Sequence, residues 1–189
     1  MKKTKLSKRR SPDARCYSGV LTKPRIFLAV FTGCCLAGFA LLFSPAVEIA
    51  VLKLSHGLVD VSGYLISLCG GHAMTEGSVL RSPSNGFAIE MKNGCNGINV
   101  TVLLCSAILA FPASWLQKAQ GLLIGVLAIQ TINVVRFISL FYIGQYNQTC
   151  FDFAHNYLWE SLIMLDALII FRLWVSMVSR QRAGAYVRQ

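Results

Sequence analysis

Apolar residues gather in four long runs along the chain, and polar residues separate these runs. The runs cover residues 26–43, 98–116, 119–144 and 158–178. The first run has 18 residues without a charge, longer than the apolar core of about 7–15 residues in a cleaved signal peptide. Each run is expected to form a transmembrane helix, so the pattern predicts an all-α polytopic membrane protein.

Between the first two runs, residues 47–68 show a weaker apolar pattern with a polar stripe at helical spacing. The residues of the stripe recur at steps of three or four: Lys53, His56, Asp60, Gly63 and Ser67. This period predicts an amphipathic helix that lies on the outer membrane face or packs across the top of the bundle. A fifth, imperfect transmembrane helix is the alternative interpretation.

Residues 78–91 contain two short β-like runs on either side of Ser-Pro-Ser-Asn-Gly. The dipeptide Asn85-Gly86 is a strong hairpin signal, because tight hairpin turns need residues that tolerate positive φ. We therefore predict a short β-hairpin that leads the chain to Cys95, just before the second apolar run.

Composition and charge agree with a membrane protein. Of the 189 residues, 54% are hydrophobic and 14% are charged, whereas soluble domains have about 45–50% and about 25%. The net charge is +10, and residues 1–25 carry +8 of it, with nine Lys or Arg against Asp13. Basic clusters that flank apolar runs are typical of topology signals rather than of nucleic-acid binding. The expected partner is the lipid bilayer, with no nucleic acid.

The charges also suggest an organisation and an orientation. We assign residues 1–25 to a basic cytoplasmic leader, 26–178 to a single membrane-embedded domain and 179–189 to a basic cytoplasmic tail. Four transmembrane helices, with both termini and Lys118 in the cytoplasm, satisfy the positive-inside rule.

The outer side then holds residues 44–97 and 145–157, which brings three reactive side chains to one end of the bundle. Cys95 precedes the second run, and His155 precedes the fourth. Arg136 lies within the third run, about 10 Å below its outer end at about 1.5 Å per residue. Arginine at a span centre costs about 2.5–3.5 kcal/mol, so such residues tend to be functional. The three groups suit a nucleophile, an acid/base and an oxyanion or orienting group.

Three further polar residues are candidates to support Arg136. Asn133 lies at i−3, on the same helix face. Asp166 matches the depth of Arg136 within the fourth run, and Glu160 is the shallower alternative, so one of these carboxylates is expected to position the guanidinium. The spacing of His and Cys residues does not resemble a metal site, and no cofactor is expected.

Three motifs in this order, Gly-Cys-Asn-Gly-Ile, Asn-Val-Val-Arg and Ala-His before the last run, resemble the signatures of the exosortase/archaeosortase family of membrane transpeptidases. The resemblance covers roughly residues 45–178. It implies that Cys95 is the nucleophile and that Arg136 and His155 complete a catalytic triad. The layout is similar to compact bacterial forms such as exosortase H, although Asn96 stands where many members have Ser.

The resemblance further implies a cysteine transpeptidase or protease at the outer face of the bacterial cytoplasmic membrane. Its substrates would be membrane-anchored proteins whose C-terminal sorting signal comprises a short motif, one span and a basic tail. The enzyme would cleave this signal through a thioester on the cysteine. Cys69 and Cys150 would pair or stay buried and leave Cys95 free. Two other classes stay open: a non-enzymatic membrane scaffold or small transporter, and a thiol oxidoreductase suggested by the seven cysteines.

Overall fold

The computed structural model describes residues 24–187, with side chains as far as Arg182. Nearly all of the predicted basic leader and the end of the predicted tail lie outside the described residues. The described chain forms these elements in order: α1 (Pro24–Leu42), α2 (Pro45–Leu68), β1 (Met74–Glu76), β2 (Val79–Arg81), β3 (Ala88–Glu90), α3 (Ile98–Ala110), α4 (Trp115–Tyr146), α5 (Gln148–Phe153), a π-helical turn (Ala154–Leu158) and α6 (Trp159–Val187).

Four helical segments are long and apolar enough to cross a membrane, which confirms an all-α polytopic membrane protein. They are α1, α2, α4 and the continuous helix from Gln148 to Arg182. Residues 47–68 therefore qualify as a span by length and composition. The second apolar run does not, because α3 has 13 residues and reaches only about 20 Å across a hydrocarbon core of about 30 Å.

The early end of α3 has a local cause. Pro112 restricts the residue before it to extended conformations, and Phe111 has φ −73° and ψ 135°. Proline also lacks the N–H that a further helical turn would need. The prediction of one helix over 98–116 is therefore wrong in length: the chain turns at Phe111 and begins α4 four residues later.

The connection between α4 and the last helix also differs from the prediction. α4 begins with a capping box in which Ser114 and Gln117 bond each other's backbone, and it runs for 32 residues to Tyr146. Asn147 ends α4 and at once caps α5, because its side chain accepts a hydrogen bond from the backbone N–H of Cys150. The expected outer loop 145–157 is therefore almost entirely helical.

The predicted hairpin is confirmed, and it belongs to a three-stranded antiparallel sheet with strand order β1-β2-β3. In the β2–β3 connection, the side chain of Asn85 accepts a hydrogen bond from the N–H of Phe87 at 3.1 Å, and Gly86 has φ +74°. Strand β1 was missed by the sequence reasoning. It joins β2 through a tight turn at Gly77, which has φ +58°.

Two buried clusters divide the described fold into what we call the cap and the bundle. The cap comprises α2, the sheet and the C-terminal half of α4. Its buried core comprises Leu58, Val59, Ile66, Leu80, Ile89, Met91, Val134, Phe137, Leu140, Phe141 and Ala154. The bundle comprises α1, α3, the N-terminal half of α4 and α6. Its buried core comprises Val100, Leu104, Ile108, Phe111, Ile129, Ile163, Trp174 and Val178.

The buried face of α2 lies largely outside the polar stripe identified in the sequence, although Gly63 of the stripe is buried. Lys53 and Asp60 are exposed, whereas Ser55 and Ser62 are buried. These hydroxyls donate to the carbonyls of the preceding helical turn, at 3.1 Å for Ser55 and 2.7 Å for Ser62, so small polar side chains fit an apolar interface. This packing also brings Ser55 to the loop that carries Cys95.

Candidate active site

Cys95 lies in a short turn between β3 and α3, and two glycines shape this turn. Gly94 has φ +99° and Gly97 has φ +71°, a backbone region that L residues with side chains rarely adopt. The N–H of Cys95 donates to the carbonyl of Lys92 at 3.0 Å. The thiol is half-buried, at the boundary of the cap and the bundle.

Asn96 fixes this turn to both regions. Its side chain is fully buried, its Nδ2 donates to Ser55 Oγ of α2 at 3.2 Å, and its Oδ1 accepts from the N–H of Ile98 at the start of α3, also at 3.2 Å. Sequence reasoning noticed Asn96 only as a departure from the family pattern. An Asn one or two residues before a helix is a recognisable turn and capping signal, and that signal could have identified its role.

His155 and Arg136 complete a chain of contacts that starts at Cys95. The Cys95 Sγ lies 3.8 Å from His155 Nε2, and Arg136 Nη2 lies 3.3 Å from His155 Nδ1. Arg136 is 4% exposed. The imidazole stands between the thiol and the guanidinium because the helix continues through the π-helical turn. His155 is therefore part of a helix, not of the loop that the sequence suggested.

The contact with Arg136 determines which ring nitrogen of His155 carries the proton. A guanidinium donates hydrogen bonds and cannot accept them, so Nδ1 must be the acceptor. In a neutral ring the proton is then on Nε2, which faces the sulfur of Cys95. The ring can therefore contact the sulfur of Cys95 with one nitrogen and the guanidinium of Arg136 with the other.

The carboxylates expected beside Arg136 do not pair with it within the described residues. Among the described residues, an ion pair joins Lys92 to Glu90 at 4.0 Å instead. Asp166 follows His155 by eleven residues, about 16 Å along a helix. The helix begins at Gln148, ten residues before the fourth apolar run, so Asp166 lies further along it than the sequence suggested. The observed partner of Arg136 is His155.

Asn133 lies close to this group, as its helical spacing from Arg136 suggested. Its side chain is 1% exposed, and neither amide atom has a hydrogen-bond partner among the described residues. It packs against the backbone of Gly97, two residues after Cys95. A buried amide without partners costs about 1–3 kcal/mol, and Asn133 lines the cavity, so its amide can bond a group that enters there.

One cavity connects these side chains. It has a volume of about 370 Å³, within the range of about 300–1,000 Å³ for ligand sites. Polar groups line one part of it: Lys92, Cys95, Asn133, Arg136, Gln148 and His155. Strand β3 forms one border, and the remaining wall is apolar and largely aromatic: Phe87, Phe137, Leu140 and Phe151.

Within residues 24–182 all the cysteines are free. Cys69 and Cys150 are exposed and unpaired, so the expectation that they pair or stay buried is wrong: each lies at a helix end instead of within a core. In the part of the chain that the structure describes, no three His, Cys, Asp or Glu side chains form a group that could hold a metal ion.

The fold and the site define a multi-pass helical membrane protein in which a cysteine, a histidine and an arginine meet at one cavity. Residues 16–173 match the family model described as transmembrane exosortase. The chain therefore belongs to the exosortase family, as its three motifs suggested. No curated protein and no solved structure matches it.

Proposed function

We propose that the protein is a cysteine transpeptidase that removes the C-terminal sorting signal of membrane-anchored proteins. The observation that carries the proposal is the contact chain from Cys95 through His155 to the buried Arg136, at a cavity with an unpartnered amide. Membership of the exosortase family agrees with a transpeptidase role. The basic residues at both ends favour cytoplasmic termini in the inner membrane, with the site at the outer face.

In the first half of the reaction, the Cys95 thiolate attacks the carbonyl carbon of the scissile peptide bond and forms the C–S bond. The oxyanion receives hydrogen bonds from Asn133 Nδ2 and from Arg136, whose guanidinium prefers an oxyanion to a neutral ring nitrogen. His155 Nδ1, released by Arg136, takes a proton from water. The resulting imidazolium gives its Nε2 proton to the leaving amine as the C–N bond breaks, and a thioester remains on Cys95.

The second half reverses these proton movements. An acceptor amine, or water, gives a proton to His155 Nε2 and attacks the thioester carbonyl. The C–S bond breaks, and the thiolate is restored. The imidazolium returns its Nδ1 proton to solvent when Arg136 moves back to that nitrogen. Because one proton enters and one leaves, the enzyme ends in its starting state.

The test is a comparison of protein C-termini in membranes of cells that contain the wild-type protein or Cys95→Ala. We expect at least one membrane protein to lose its C-terminal span in wild-type cells and to keep it in the variant. Cys150→Ala is the matched control, because that thiol is exposed on the neighbouring helix α5 and lies outside the cavity lining. Equal processing with Cys95→Ala would disprove the nucleophile.

A further inference from the structure

Strand β3 is an edge strand of the sheet, and its free edge borders the cavity of Cys95. The strand order is β1-β2-β3, so β3 is paired along one side only within residues 24–187. All three of its residues line the cavity together with Cys95 and His155. Four residues separate Glu90 at the end of the strand from the nucleophile.

The hydrogen-bond register shows which backbone groups face this free edge. The N–H of Ser82 donates to the carbonyl of Phe87, and the N–H of Met91 donates to the carbonyl of Ser78, both at 2.8 Å. Hydrogen-bonded pairs alternate along an antiparallel ladder, so Ile89 directs its N–H and C=O at β2. Ala88 and Glu90 then direct theirs away from β2. Outside the ladder, no backbone bond to either residue occurs in the described chain.

We propose that this edge binds the substrate as a fourth strand, so that an extended peptide segment pairs with Ala88 and Glu90 and presents its carbonyl to Cys95. The inference rests on the proposed function for its substrate class. An extended peptide is the occupant because its backbone alone repeats a donor and an acceptor at the spacing of a strand edge. Proteins usually cover or charge such edges; this one carries Glu90 and still borders the cavity of Cys95.

The side chains around the edge agree with this mode of binding. Ala88 is exposed and small, so it leaves room for a neighbouring strand. Ile89 points into the cap core and anchors the edge. In strand addition, backbone bonds supply affinity and pockets for alternate side chains supply specificity. The aromatic wall formed by Phe87, Phe137 and Phe151 is positioned to contact alternate substrate side chains.

The probe for the test is acetyl-tetra-alanine chloromethyl ketone, which needs no knowledge of the natural motif. The Cys95 sulfur displaces chloride and forms a C–S bond, and mass spectrometry of the purified full-length protein measures the rate at that residue. Iodoacetamide, which has no peptide backbone, reports the intrinsic reactivity of the same thiol. The ratio of the two rates isolates the contribution of the peptide backbone.

Ala88→Pro removes an N–H that faces the free edge and leaves the bonds to β2 in place. We expect it to lower the rate ratio about tenfold, as the loss of one hydrogen bond predicts. The control is Thr75→Pro in β1. The backbone N–H and C=O of Leu80 bond β3, so those of its two neighbours in β2 bond β1. Thr75 lies opposite Leu80 and therefore directs its N–H away from the sheet. This variant should keep the ratio within about twofold. A folded Ala88→Pro protein with the wild-type ratio would overturn the inference.

Two N-methylated versions of the probe extend the test to the wild-type protein, whatever the stability of the variants. Each version blocks one alternate set of N–H groups, and only one set can face β3. One version should lose about tenfold in rate while the other does not; equal behaviour would contradict strand pairing. The proposed function is tested separately. A rate ratio that depends on Ala88 would support strand pairing even if Cys95 had no role in C-terminal processing.

Discussion

The cap and the bundle differ in how their cores are assembled. The bundle is made by helices alone, and small residues allow close contact: Gly121 lies against Trp174 and Gly125 against Leu104. In the cap, α2 packs on strands and on the far half of α4, with Gly63 against Thr75. The bundle therefore holds helices together, whereas the cap positions a turn and a strand edge.

The reactive residues lie where these two regions meet, and each comes from a different kind of element. Cys95 belongs to the turn that Asn96 ties to α2 and α3. Arg136 is in α4, the helix that runs through both regions, and His155 is in the π-helical turn before α6. Neither region alone forms the site. Variants close to this boundary should therefore lower activity more than variants far from it.

The largest effect, after loss of the nucleophile, is expected for Arg136→Lys. The lysine keeps the charge but cannot bond both the ring nitrogen and the oxyanion with a planar fork. The rate of C-terminal processing should fall about 10²–10³-fold, as for other lost oxyanion donors, while the protein still inserts and folds. Arg172→Lys, at an exposed position of α6, is the control. Normal processing by Arg136→Lys would leave Cys95 and His155 as the reactive pair.

Asn133→Ala should separate activity from stability at the boundary. Processing should fall roughly 10²-fold if Nδ2 binds the oxyanion, yet the melting temperature should not fall, because the variant removes a buried amide without partners. The control is Gln130→Ala, which changes another amide on α4 whose oxygen is buried without a partner and which lies outside the cavity lining. A fall in melting temperature with unchanged processing would indicate a packing role for Asn133 instead.

A matched pair of core variants compares the two regions directly. Leu80 in the cap and Ile108 in the bundle are both fully buried, so replacing each with Ala should lower the free energy of unfolding by about 2–5 kcal/mol. Only Leu80→Ala loosens the sheet beside Cys95, and small misplacements in a site can cost up to about 10² in rate. We expect processing per folded molecule to fall about tenfold for Leu80→Ala only. Equal losses would mean that the site depends on the whole fold.

The smallest effect is expected for Asp166→Asn. Because this residue is about 16 Å along the helix from His155 and does not pair with Arg136, processing should stay within about twofold of the wild-type rate. Glu160→Gln, closer to His155 along the same helix, is the comparison variant. A loss at Asp166 as deep as that of Arg136→Lys would restore the carboxylate as a positioning group.

The sequence alone predicted those features that depend on local patterns. Continuous apolar runs identified α1, α4 and α6, because helix formation in an apolar environment needs only a long apolar segment. Asn85-Gly86 identified a hairpin, because the turn conformation is a property of those two residues. The three motifs identified Cys95, Arg136 and His155 as the residues to bring together, and their order along the chain identified the family.

Tertiary structure decided the features that depend on partners distant in the chain. Asn96 fixes the turn of Cys95 by bonding Ser55 of α2, 41 residues earlier in the chain. A buried guanidinium takes whichever acceptor the fold brings within reach, and here it is His155. The outer edge of β3 stays free because β1 pairs with β2 and not with β3. Partners of this kind are chosen by geometry in three dimensions, and sequence spacing alone does not contain that information.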